Sequence, residues 1–175
     1  MMMTGETSDR QMEEIVRRHA DTVYRLALVH MKNTQDAEDI FQEVFLRLVK
    51  NLDKLENDEH IKAWLIRVTI NCCKSQFTRA YRRHETPQEQ EILQEQAGAA
   101  EEPDTEEHIV YETVQKLPDK YRTVIHLFYF EELSIREIGE VLKKRESTIK
   151  SQLSRGREKL KQLLEKEGIT DAAGL

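Results

Sequence analysis

Residues 143–161, KKRESTIKSQLSRGREKLK, hold eight basic side chains and two acidic ones. Read as a helix at roughly 100° per residue, they place Ile149, Leu153, Gly156 and Leu160 on one face. The opposite face carries Ser147, Ser151 and Ser154, with Thr148, Lys150 and Arg155 on its flanks. The chemistry these residues offer is recognition rather than turnover. Small hydroxyl side chains let a helix sit deep in the major groove of DNA, and Lys150, Arg155 and Arg157 can reach base edges or phosphates. The same charge would also suit a solvated C-terminal helix.

A second basic stretch, residues 62–84, has six Lys or Arg and no Asp or Glu. Its cations Arg67, Lys74, Arg79, Arg82 and Arg83 are interleaved with Phe77 and Tyr81, candidates for stacking on unpaired bases, though either can also simply pack. Trp64 lies on an apolar stripe, which favours a core role over stacking. Between the basic stretches, residues 85–112 contain ten acidic residues and no Lys or Arg. That segment alone turns a chain of net charge −6 from one that would be +4 without it (−6 + 10), so the total hides two phosphate-seeking surfaces. Further upstream, Asp36, Glu38, Asp39, Gln42 and Glu43 offer carboxylates and an amide beside an apolar stripe, which suits a partner helix rather than DNA.

Other chemistries lack their residues. The six His show no metal-ligand spacing. No phosphate loop or nucleophile motif occurs, which argues against an enzyme, and no cofactor or metal is expected. Cys72 and Cys73 are adjacent and read as ordinary helix residues rather than a disulfide framework or a zinc pair. No apolar run is long enough for a membrane span, and the first ten residues do not read as a signal peptide, so the expected compartment is the cytoplasm.

The elements that must position these residues are helical. Three apolar stripes follow the helical period: Met12, Ile15, Val16, Val23, Leu26 and Ala27; then Ala37, Ile40, Phe41, Val44, Phe45, Leu48 and Val49; then Ile61, Trp64, Leu65, Val68 and Cys72. Asn33 and Thr34 separate the first two helices, and a polar loop near residues 53–60 the next two. Ile66 and Ile70 lie off the third stripe, so the third helix is expected between the other two. Thr86-Pro87-Gln88-Glu89 reads as a capping box, and Gly98-Ala99-Ala100 with Pro103 as breakers. Asp104 with Glu107 is expected to cap the following helix. Leu117-Pro118 closes that helix and opens another, to about Phe130. Ser134-Ile135-Arg136-Glu137 is a capping box for a short helix carrying Ile135, Ile138 and Leu142. After a tight connection at residues 143–146 comes the last helix, with Ile149, Leu153, Gly156, Leu160 and Leu163 on its apolar face. Two helices joined by so short a turn make a helix-turn-helix. The expected fold is all-α: two small helical domains, 10–84 and 105–166, joined by an acidic linker at 85–104, with the helix-turn-helix in the second.

Residues 132–160, ELSIREIGEVLKKRESTIKSQLSRGREKL, resemble the helix-turn-helix with which sigma factors read the −35 promoter element. Residues 36–45, DAEDIFQEVF, resemble the sigma segment that docks on the clamp helices of the RNA polymerase β′ subunit. Residues 63–71, AWLIRVTIN, resemble the start of the segment that melts and reads the −10 element, and Leu117-Pro118 with Tyr121-Arg122 is similar to the family's second-domain entry. The resemblance covers about residues 13–83 and 109–164, and the absence of a middle domain marks the extracytoplasmic-function type. It implies a non-catalytic transcription initiation factor. Asp36, Glu38, Asp39, Gln42 and Glu43 would bind polymerase core. Arg67, Asn71, Lys74, Phe77, Arg79, Tyr81, Arg82 and Arg83, with the loop at 53–60, would hold the −10 strand. Ser147, Thr148, Lys150, Ser151, Ser154, Arg155 and Arg157 would contact the −35 duplex. Implied partners are polymerase core (β′ clamp helices and β flap), promoter DNA and an anti-sigma factor, with no membrane insertion. Departures from the family pattern fall at Lys143-Lys144-Arg145, where an apolar residue and Pro are more usual, at Ser147 in place of Gly, and at Gln152 in place of Arg. A stand-alone helix-turn-helix regulator is the alternative, and residues 36–45 argue against it.

Overall fold

A computed structural model describes residues 5–83 and 105–168. Its elements are α1 (Gly5–Met31), α2 (Thr34–Asn51), a short 3-10 turn (Leu52–Lys54), α3 (Asp58–Arg83), α4 (Glu106–Gln115), α5 (Asp119–Tyr129), α6 (Ile135–Leu142) and α7 (Glu146–Lys166). No strand occurs among the described residues. The chain divides into two units, one holding α1–α3 and the other α4–α7. The linker at 85–104, with its expected capping box at Thr86 and breakers at Gly98 and Pro103, lies outside the described residues.

In the first unit the apolar stripes meet. Ile15, Val23 and Ala27 of α1, Ala37, Ile40, Val44 and Leu48 of α2, and Ile61, Leu65 and Cys72 of α3 form one buried cluster, with Trp64 and Val68 partly buried against it. Each helix packs on both others. The expectation that α3 separates α1 from α2 is therefore corrected: its wide apolar girth, Ile66 and Ile70 included, is buried without intervening between them. Val49, counted on the second stripe, is exposed, as is Leu46. The turn between α1 and α2 is tight because Lys32 adopts φ 65° and Asn33 caps α2, its side-chain oxygen accepting from the Asp36 N–H at 2.8 Å. The loop expected at 53–60 is shorter. Asp53 and Lys54 lie in the 3-10 turn, and α3 already begins at Asp58. Asn57 Oδ1 accepts from the His60 N–H at 2.8 Å, which caps α3. The buried His19 ring of α1 pairs with Asp58 Oδ1 at 2.8 Å. That hydrogen bond holds the Asp58 carboxyl below its ordinary pKa.

In the second unit Thr105, not Asp104, caps α4, its hydroxyl accepting from the His108 N–H. Pro118 precedes α5 and supplies no cap bond, because its ring carries no atom that could accept one. The buried Arg122 side chain donates twice to Leu117 O, at 3.2 and 3.0 Å, and so satisfies a carbonyl at the end of α4. The Ser134 capping box is present in full: Glu137 N–H donates to Ser134 Oγ at 3.1 Å, and Ser134 N–H to Glu137 Oε2 at 3.2 Å. On α6 the buried residues are Ile138, Gly139 and Val141, while Ile135 and Leu142 are half-buried. On α7 they are Ile149, Leu153, Gly156, Leu160 and Leu164. Leu164 thus takes the place expected for Leu163, because the stripe drifts over five turns.

Candidate nucleic-acid and partner interfaces

The helix-turn-helix is held close by two glycines. The N–H groups of Lys143 and Lys144 both reach Gly139 O. A Cβ on Gly139 would stand 2.9 Å from Lys144 O, so the turn folds directly over the bare Cα. A Cβ on Gly156 would stand 3.0 Å from Ile125 Cγ1, so α7 lies hard against α5. Pinned this way, α7 turns Ser147, Thr148, Lys150, Ser151, Ser154 and Arg155 outward, all of them exposed.

Part of that face borders a concavity of about 370 Å³ lined by Ser147, Thr148, Ser151, Gln152 and Arg155 of α7 and by Lys120 and Tyr121 of α5. Sequence reading missed the α5 contribution. The signal was available in Lys120 at the start of α5, but nothing local says which turn of α7 it faces. Tyr121 is buried, with Lys120 Nζ 5.0 Å and Lys159 Nζ 5.8 Å from its ring centroid. Gln152 Oε1 is buried without a hydrogen-bond partner in this concavity's wall.

Arg157 behaves differently from its neighbours. Its Nε donates to Tyr129 Oη at 2.6 Å, and its guanidinium lies 5.3 and 5.6 Å from the ring centroids of Phe128 and Tyr129. It braces α7 against the end of α5, half-buried, where it was expected to contact DNA.

On the later turns of α3, Asn71, Lys74, Phe77, Arg79, Tyr81 and Arg82 are exposed, and Arg67 is half-buried. Tyr81 is 69% and Phe77 43% exposed, which leaves both rings open for stacking. Arg83 is the last residue of the helix. Cys72 and Cys73 are buried, and burial pushes the Cys72 thiol pKa up.

On α2, Glu38, Asp39 and Gln42 are exposed, and Glu43 is half-buried, 2.7 Å from Arg47. Asp36 does not share that freedom. It accepts from Asn33 Nδ2 at 2.7 Å and from Gln76 Nε2 of α3 at 3.2 Å, so its carboxylate ties the start of α2 to α3. Among the described residues, no cluster of His, Cys, Asp and Glu could hold a metal. No helix among them is long and apolar enough to cross a membrane.

An all-α chain whose second unit is a helix-turn-helix with a polar, basic outer face on its last helix defines a DNA-binding protein. Its sequence also matches two family profiles in order, Sigma-70 region 2 over residues 15–83 and Sigma-70 region 4 over residues 107–160. It is 32% identical to the ECF RNA polymerase sigma factor SigW of Bacillus subtilis over 166 residues, 86% of this chain and 87% of that protein. It is 27% identical to the RNA polymerase sigma factor SigV of the same organism, over 97% of this chain and all (100%) of that one. The chain belongs to the extracytoplasmic-function branch of the sigma-70 family and is a sigma factor, directing promoter-specific initiation by RNA polymerase. The fold is shared with the sigma factor RpoE of Bartonella quintana, solved in complex with the anti-sigma factor NepR, at a TM-score of 0.71 and 20% identity over 89% of this chain and 98% of that one. It is shared too with CnrH, solved with the cytosolic domain of CnrY, at a TM-score of 0.65 and 24% identity over 90% of each chain.

Proposed function

We propose a division of labour within this sigma factor. The exposed face of α2, with Glu38, Asp39, Gln42 and Glu43, docks on polymerase core. The basic face of α3, with Arg67, Asn71, Lys74, Phe77, Arg79, Tyr81, Arg82 and Arg83, holds the −10 strand. The outer face of α7, with Ser147, Thr148, Lys150, Ser151, Ser154 and Arg155, reads the −35 duplex. Residues 10–84 and 105–166 would be the two working domains and 85–104 a tether. Asp36 and Arg157 support these surfaces from within the fold instead of touching the partners. The chain works without catalysis, in the cytoplasm. An anti-sigma factor is its expected regulator, in keeping with the company in which similar sigma factors were solved.

The observation that carries the reading is on α7. Five buried residues, Ile149, Leu153, Gly156, Leu160 and Leu164, fix one face, and small hydroxyls with Lys150 and Arg155 occupy the other. Replacing Arg155 with Ala tests it. Loss of a base contact costs roughly 1–3 kcal/mol at the base concerned. Holoenzyme carrying Arg155→Ala should therefore discriminate less between −35 sequences at one position. Equal weakening on every sequence would make Arg155 a phosphate contact and leave the reader elsewhere on α7.

A further inference from the structure

The turn between α6 and α7 carries three cations that the fold does not employ. Lys143, Lys144 and Arg145 are consecutive and exposed. Among the described residues, none of them has a carboxylate within ion-pair distance. Glu146, the next residue, begins α7 and forms no ion pair with them, and the acids before them are committed elsewhere: Glu140 to Arg136 at 3.3 Å, and Glu137 to the Ser134 cap. Several cations elsewhere are paired, Arg18 with Glu14, Arg47 with Glu43 and Lys116 with Glu167. Lys143 in addition sits at φ 55°, ψ 46°, a conformation that glycine adopts freely and that ends many helices. Arg145 occupies the N-cap position of α7 and makes no capping bond with its side chain, where Ser, Asn or Asp would make one. Three adjacent like charges also repel one another. Local structure would be better served by other residues at all of these points.

In helix-turn-helix docking, the N-terminal residues of the second helix contact base edges in the major groove. The turn just before them then comes to the rim of the groove, where the phosphates run. We propose that Lys143, Lys144 and Arg145 form a phosphate strap that fastens α7 to the DNA backbone beside the bases it reads. The strap adds affinity without sequence preference. It rests on the reading of α7 as the −35 contact.

The test uses the full chain assembled with polymerase core and measures promoter binding against salt. The triple variant Lys143→Gly, Lys144→Gln, Arg145→Gln should lower the slope of log affinity against log salt by about 2–3, near 0.9 for each phosphate no longer neutralised. Lys144→Gln alone should lower it by about one. Discrimination between matched and mismatched −35 sequences should not change. The melting temperature of the free Lys143→Gly chain should hold or rise, because glycine suits that backbone, so weaker binding would not come from unfolding. An unchanged slope overturns the strap, as does a loss of −35 discrimination. Arg155→Ala, run alongside, separates two failures. If it relaxes discrimination while the triple variant is silent, α7 reads DNA and the strap is wrong. If both are silent, the α7 reading fails and the strap falls with it.

Discussion

At the scale of single residues, chemical type alone did not decide role. Asp36 and Asp39 are three apart on one helix and look interchangeable in the sequence, yet Asp36 accepts from Asn33 and Gln76 while Asp39 is exposed. Asp36→Ala should cost about 1 kcal/mol of stability, the usual size for a capping contact. Asp39→Lys with Glu43→Lys should leave thermal unfolding nearly unchanged and weaken binding to polymerase core. A folded double variant with unaltered core affinity would remove α2 as the docking helix. Arg157 and Arg155 divide the same way. Arg157→Ala should lower stability by about 1–2 kcal/mol through loss of its hydrogen bond to Tyr129 and its packing on the two rings. Arg155→Ala should alter −35 use with little change in stability. In the sequence Arg157 falls among Lys150 and Arg155 as a side chain able to reach base edges or phosphates. What recruits it inward is Tyr129, 28 positions away, and no local pattern reports that.

Element boundaries were legible wherever a cap or turn is chemically specified. Asn33, Pro118 and the Ser134–Glu137 box mark helix starts because each offers the oxygen or the backbone angle that a helix start needs. Ser134→Ala should cost about 1 kcal/mol, read as a lower melting temperature. The boundary at 53–60 was misjudged because the stretch is polar apart from Leu55, whereas Asn57 caps α3 and Asp58 pairs with His19, so the helix begins early. Since the folded Asp58 carboxyl is held below the unfolded value, its contribution is present above the ordinary carboxylate pKa and is lost as pH falls through the folded value. Asp58→Ala should therefore lower the melting temperature at neutral pH, with the difference closing in acid. Gly156→Leu should separate α7 from α5 and cost about 1–3 kcal/mol, the usual range for overpacking a filled interface.

For the molecule as a whole, the all-α class and the two helical units were readable from three stripes and a helix-turn-helix, because apolar period 3.6 is set by geometry that every helix obeys. The arrangement of helices within a unit was less readable. A helix apolar around its girth, such as α3, was expected to separate its neighbours, but all three pack on one another. The polar outer face of α7 was visible in sequence, whereas its Lys120 and Tyr121 border was not, since it depends on how close Gly156 lets two helices come. The charge pattern follows the same logic. A net charge of −6 coexists with basic outer faces because the acids between residues 85 and 112 are separate in sequence from the cations. The central claim is that this chain confers promoter choice on polymerase. It is tested most directly by transcription from a promoter library with randomised −35 and −10 elements, using purified core polymerase with and without the chain. Initiation should rise only with the chain present, from a restricted set of sequences, and the Arg155→Ala variant should widen that set at the −35 element. The same start sites with and without the chain would contradict the account.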